Sequence, residues 1–121
     1  MAGEIKSHRD LKIWQKGIEL VKIVYLLTRK FPKSETFGLA NQMQRSAVSI
    51  PSNIAEGQAR QHTGEYRQFL YTALGSAAEL DTQTVIACEL GYIDKEESTK
   101  IEESIGEIRR MTYTLISRLP H

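Results

Sequence analysis

Apolar residues recur at helical spacing along almost the whole chain, and no stretch alternates as a half-buried strand does. The segment that organises the rest is Gln42 to Gly57, QMQRSAVSIPSNIAEG, where Met43, Ala47, Ile50 and Ile54 mark one buried helix face. Pro51 interrupts that pattern. It has no N–H for the carbonyl of Ala47, and its ring crowds that carbonyl, so the pattern predicts a bend. In an ordinary helix interior such a proline costs roughly 3 kcal/mol. Ser49, Ser52 and Asn53 surround the expected bend with short side chains able to bond freed backbone groups. Arg45 and Glu56 bracket it with opposite charges.

Taken in order, residues 1–9 lack periodicity and read as a loose arm. Asp10 is the expected N-cap of a first helix running to about Lys30, with Leu11, Trp14, Ile18, Val21 and Tyr25 along one face. Leu20, Ile23, Val24, Leu26 and Leu27 wrap much of its second half, which predicts burial on more than one side and a second subunit as the extra surface. Phe31-Pro32 ends it, and Pro32 opens a single turn through Glu35. The second helix runs from about Leu39 to Gly57 or just beyond.

Thr63 is the expected N-cap of a third helix over Gly64 to about Leu90, with Glu65 in its first turn. Tyr66, Phe69, Leu70, Ala73, Leu74, Ala77, Leu80, Thr84, Ala87 and Cys88 form its apolar side. Its small-residue centre, Ala73 to Ala78, includes Gly75, which predicts close approach by a neighbouring helix. Gly91 terminates it. Asp94 with Glu97 forms a capping-box pair opening a fourth helix, whose seam is Ile101, Ile105, Ile108, Met111 or Thr112, Leu115 and Leu119. Short connections make neighbours antiparallel, so the expected architecture is an all-α, antiparallel up-down-up-down four-helix bundle forming one domain over residues 1–121.

The chain is 121 residues long, enough for a core without disulfides or a structural metal. Its single cysteine, Cys88, excludes an intrachain disulfide and fits a reducing cytoplasm. No apolar run is long enough to span a bilayer, and the first residues, MAGEIKSHRD, have no signal core, so the expected location is cytoplasmic, with no membrane partner. The net charge of +1 hides an asymmetry: residues 1–60 hold ten Lys and Arg against five Asp and Glu, and residues 61–121 hold six against ten. The simpler meaning is attraction between the two halves of a bundle or between subunits; the other is a basic surface for phosphate or an acidic partner.

No catalytic constellation is visible. His8, His62 and His121 fall in the arm, a turn and the chain end, and read as solvated. There is no Glu-x-x-His, no His-Glu-x-x-His, no phosphate-cradling glycine loop and no paired-cysteine motif, so no metal, cofactor or small-molecule substrate is expected. Cys88 reads as a small core residue. Glu79 and Gln83, four apart on the third helix, and Arg45 on the second, are expected to join in a buried polar network that sets register; the alternative is a shared polar pocket that recognises a ligand. The nucleic-acid candidates are Lys12, Lys16, Lys22, Arg29 and Lys30 on the first helix, with Arg45, Arg60 and Arg67 near the second turn.

The segments DLKIWQKGIELVKIVY (Asp10–Tyr25), FPKSETFGLANQMQRSAVSIPSNIAEG (Phe31–Gly57) and YRQFLYTALGSAAELDTQTVIACELGYI (Tyr66–Ile93) resemble the bacterial four-helix-bundle family of 23S rRNA intervening-sequence proteins. The match covers three helices; the fourth agrees only in character. Ser46 departs from the pattern, in which a second arginine often follows Arg45. The resemblance implies a small cytoplasmic protein that assembles into a ring, often a pentamer, and carries over no catalytic residue. A related branch, the accessory variability determinant of diversity-generating retroelements, is strongly basic and binds nucleic acid, which a net charge of +1 matches poorly. The expectation is a non-enzymatic homo-oligomeric binding or scaffold protein with structured RNA as a candidate partner. The alternative is an adaptor that meets only protein. The polar cluster at the bend, Arg45, Pro51, Asn53 and Glu56 with Glu79 and Gln83, is expected to shape the bundle end.

Overall fold

The structure, a computed structural model, describes residues 5–120. Four helices make up most of it: α1 (Lys12–Thr28), α2 (Leu39–Gln58), α3 (Thr63–Glu89) and α4 (Lys95–Arg118), with single 3₁₀ turns at His8–Asp10 and Lys33–Glu35. Each helix packs on its sequence neighbours, and α1 also packs on α4, so the four close into a bundle. Paired positions give the directions. Gly17 meets Pro51 while Thr28 meets Gln44, Ser49 meets Ser76 while Gly57 meets Phe69, and Lys16 meets Glu107 while Lys30 meets Glu97. Numbers rising on one helix while falling on its neighbour make each of these pairs antiparallel.

The core is one cluster of aliphatic side chains, with Leu20, Val24, Met43, Ile50, Ile54, Leu70, Leu80 and Ile101 fully enclosed. On α2 the buried stripe is the one the spacing predicts, Met43, Ala47, Ile50 and Ile54. α2 stays helical through Pro51, and the proline ring is buried at the contact with α1. A Cβ on Gly17 would lie 3.2 Å from the Cβ and 3.3 Å from the Cδ of Pro51, so the glycine lets α1 sit directly on that ring. Gly57 does the same for α3: a Cβ there would lie 2.7 Å from the Phe69 Cβ and 3.0 Å from the Tyr66 Cδ1.

Several expectations need correction. The arm is shorter than residues 1–9, because Ser7 and Asp10 form a capping box around a 3₁₀ turn; residues 1–4 lie outside the described ones, as does His121. Asp10 therefore caps that turn and not α1, whose N-cap position is Leu11 with no side-chain bond. The buried face of α1 is Ile13, Gly17, Leu20, Val24 and Thr28, while Leu11, Trp14, Ile18 and Val21 are half-buried at its flank and Tyr25 is exposed. The apolar residues of α1 spread over a broad arc opposite the exposed polar row Lys12, Gln15, Glu19, Lys22 and Arg29, and two neighbouring phases fit such an arc. Thr63 is the first residue of α3 and His62 occupies its cap position. On α4 the seam ends in Thr112 and Ile116, with Met111, Leu115 and Leu119 half-buried beside it. Gly75 is exposed, and a Cβ there would meet nothing within 4 Å, so no helix of this chain approaches it.

Three helix ends are closed by specific bonds. Asp94 accepts from the Glu97 amide at 2.8 Å and Glu97 accepts from the Asp94 amide at 3.0 Å. Gly91 takes φ +78° beyond α3, and the Tyr92 amide reaches back to the Ala87 carbonyl at 2.9 Å. At the start of α2, where the sequence shows no cap, Glu35 accepts from the Leu39 amide at 3.0 Å and from the Tyr92 hydroxyl at 2.9 Å. That carboxylate ties the α2 N-terminus to the turn between α3 and α4. The two bonds, the backbone one foremost, hold the Glu35 carboxyl below its ordinary range, and the same contact pushes the Tyr92 hydroxyl up.

Candidate functional site

The eight basic candidates do not come together at one place. Lys16 is 2.9 Å from Glu107, a hydrogen-bonded pair that raises the lysine and lowers the carboxylate from their ordinary values. Lys30 pairs with Glu97, whose carboxyl is lowered first by that bond and then by the Asp94 amide. Arg60 lies 3.4 Å from Glu56 and 3.8 Å from Glu65, and stacks 4.8 Å from the centre of the Phe69 ring. Arg67 donates to the carbonyls of Leu119 at 3.4 Å and Pro120 at 3.0 Å, tying α3 to the end of α4. Lys22 and Arg29, two turns apart, share a solvent-facing side of α1.

Lys12 is different. It lines a groove of about 330 Å³ between the start of α1 and the end of α4, together with Arg110 and Arg118, over a floor of Leu11, Ile13, Met111 and Leu115. Among the described residues no acidic one lines this groove. Arg110 and Arg118 are partners that sequence reasoning missed, since they lie at the far end of the chain from Lys12 and only the antiparallel packing of α1 on α4 unites them.

The expected bend cluster divides in two. Asn53 donates to the Ser49 carbonyl at 2.8 Å and to its hydroxyl at 2.9 Å, while Glu56 turns outward to Arg60. Arg45 goes the other way, toward α3. There it lines a polar cleft of about 370 Å³ with Gln42, Ser46, Ser49, Ser76, Glu79 and Gln83. The buried Arg45–Glu79–Gln83 network does not form. Arg45 and Glu79 are exposed, no ion pair joins them to each other, and the Gln83 Oε1 is buried with no hydrogen-bond partner. The reason is the size of the residues between the helices. Ser46, Ser49 and Ser76 let α2 and α3 approach until the Ser49 and Ser76 hydroxyls meet at 2.7 Å, which leaves Arg45 and Glu79 only the rim. An orphaned buried amide oxygen costs about 1–3 kcal/mol.

The outward side of α3 is a third feature. Tyr71, Gly75, Ala78, Thr82 and Val85, spaced by four, three, four and three, are all exposed, with Ile86 beside them. The Thr82 hydroxyl is bonded to the Ala78 carbonyl at 3.0 Å, so it adds no free donor to this row. On the core side Leu70, Ala73, Ala77, Leu80, Thr84 and Ala87 repeat the same spacing. α3 thus carries two seams, one inward and one outward.

Among the described residues no three His, Cys, Asp or Glu side chains gather where they could hold a metal ion, and no helix is long and apolar enough to cross a membrane. Fold and surfaces together define a small all-α four-helix-bundle protein whose polar features lie on its outer faces and in the grooves between helices. The chain belongs to the 23S rRNA-intervening sequence protein family, whose sequence model matches residues 9–114. It is also similar to the crystal structure of a protein of unknown function from the S23 ribosomal protein family of Bacteroides thetaiotaomicron VPI-5482, with 27% identity and a TM-score of 0.78. That similarity covers 86% of this chain and 97% of the other. No curated protein matches the chain.

Proposed function

We propose that this protein is a non-enzymatic, cytoplasmic helical scaffold that works as a homo-oligomer, with the pentamer implied by its family resemblance as the expected assembly. The outward seam of α3 carries this reading. An exposed row of Tyr71, Gly75, Ala78, Thr82 and Val85 at heptad spacing is the pattern of a helix prepared for a partner helix. Gly75, where a Cβ would meet nothing within 4 Å among the described residues, costs helix propensity with no internal return. A neighbouring subunit supplies the contact that the small residues invite. Leu26 on α1, 58% exposed, and Phe37 in the loop after it, 92% exposed, add further apolar area outside the core. Light scattering on the purified chain tests this: the expected mass is several times 13.7 kDa, and Ala78→Glu with Val85→Glu is expected to reduce it.

The groove of Lys12, Arg110 and Arg118 favours a second reading, in which the assembled bundle holds structured RNA through phosphate contacts. Three cations around a groove with no carboxylate among its described lining residues are a better phosphate site than Lys16 or Lys30, whose charges are already paired. Fluorescence anisotropy with a labelled ribosomal RNA fragment is expected to show binding that weakens steeply with salt and on Lys12→Glu with Arg110→Glu. Absence of binding at low salt leaves the protein-only adaptor in its place.

A further inference from the structure

We infer that the cleft between α2 and α3 is a binding site for a small zwitterion of the α-amino-acid class, held by Arg45 and Glu79 at its rim and Gln83 at its floor. The cleft, about 370 Å³, is large enough for such a molecule, and every residue that lines it carries a polar side chain: Gln42, Arg45, Ser46, Ser49, Ser76, Glu79 and Gln83.

The hydrogen-bonding inventory selects the ligand. Arg45 brings a guanidinium with no ion pair among the described residues, a fork suited to a carboxylate. Ser49 and Ser76 share one mutual bond at 2.7 Å, and Ser49 also accepts from Asn53. Two hydroxyl protons serve one bond, so one O–H remains as a donor whichever way the pair is oriented. Ser46 adds another hydroxyl to the same lining. Against these donors stand two acceptors, the Glu79 carboxylate and the Gln83 Oε1. Gln83 is only 7% exposed, and that oxygen is enclosed with no partner among the described residues. A ligand ammonium supplies what the Glu79 carboxylate lacks, and the enclosed Gln83 oxygen gains the same partner once its amide turns into the cleft.

The formal charge of the lining decides against a phosphate. One arginine and one glutamate sum to zero, and the Glu79 carboxylate repels a dianion placed beside Arg45. A molecule with its own carboxylate and ammonium matches both ends and costs no net charge. Arg45 and Glu79 face one cleft without pairing with each other, which leaves each free for such a ligand.

Isothermal titration calorimetry on the full chain tests this with three probes, L-glutamine, acetate and inorganic phosphate. The expected result is saturable binding of L-glutamine at one per chain below about 10 mM, weaker binding of acetate, and none of phosphate. Arg45→Met and Glu79→Gln are each expected to weaken L-glutamine binding by about tenfold or more. Gln83→Leu separates a ligand contact from a structural residue: removing the orphaned oxygen is expected to raise the melting temperature while weakening binding. Absence of saturable L-glutamine binding overturns the inference, as does binding of phosphate in its place or binding unchanged in Arg45→Met. Gln83→Leu with higher stability and unchanged binding overturns the role of Gln83 at the floor. If Arg45→Met changes the native mass instead, the cleft belongs to a subunit interface and the ligand assignment fails, while the oligomer itself stands.

Discussion

At Gly57 a single methyl group decides how closely two helices can lie. A Cβ there would come within 2.7 Å of the Phe69 Cβ and 3.3 Å of the Tyr66 carbonyl oxygen, atoms that cannot swing aside as a long side-chain end can. Gly57→Ala is therefore expected to destabilise the fold by about 1–3 kcal/mol despite its better helix propensity, measurable by urea denaturation. Gly75 is the opposite case, since a Cβ there would meet nothing within 4 Å among the described residues. Gly75→Ala is expected to stabilise the isolated subunit by up to about 1 kcal/mol, so a loss of stability or mass in the native protein marks a contact between subunits. Pro51 shows what residue types alone convey. Its helix-interrupting chemistry is plain in sequence, but the reason it is tolerated, a buried ring against Gly17, lies far along the chain and emerges only when α1 and α2 pack. Arg45, Glu79 and Gln83 are recognisable in sequence as polar groups near apolar faces. Spacing along each helix does not show that three serines draw the helices together and leave the longer groups around an open cleft.

For whole elements, legibility follows the sharpness of the pattern. α2 has a narrow stripe, and sequence periodicity selects its buried face without ambiguity. α1 has a broad apolar arc, so periodicity admits two neighbouring faces, and the one it favours is the half-buried flank of the true core face. α4 marks its own start through Asp94 and Glu97, a local pair that needs no tertiary information; Asp94→Ala is expected to cost about 1 kcal/mol in urea denaturation. The Glu35 bond to the Leu39 amide is local, but the Tyr92 hydroxyl that holds the other carboxylate oxygen comes from the turn after α3 and is hidden from sequence.

The paired carboxylates also set the response of the elements to pH. Glu35, Glu97 and Glu107 all titrate below the ordinary glutamate value of 4.5 in the folded chain. Groups lowered in this way favour folding above their unfolded value and give that contribution up as the pH falls through the folded one. Thermal melts are expected to fall in temperature on the acid side of 4.5, and the triple variant Glu35→Gln, Glu97→Gln, Glu107→Gln to show a shallower fall there from a lower neutral starting point. Lys16, raised above 10.5 by Glu107, contributes below its unfolded value and loses that contribution only as the pH rises through the raised one, so it leaves the acid limb unchanged.

For the whole molecule, the bundle closes its own core and still leaves apolar surface outside it. The antiparallel bundle and its family are legible from helical periodicity, short connections and the SIPSNIAEG segment, and the family match over residues 9–114 agrees. The sequence points to an assembly surface on the over-wide apolar face of α1; the outward seam of α3 adds a row that the same periodicity merges with the core face. The most direct test of the scaffold reading is multi-angle light scattering of the native chain beside Ala78→Glu with Val85→Glu. A native mass several times 13.7 kDa that collapses toward the subunit mass in the variant, with helicity retained, is the expected result. A native protein that runs as a stable 13.7 kDa monomer contradicts it.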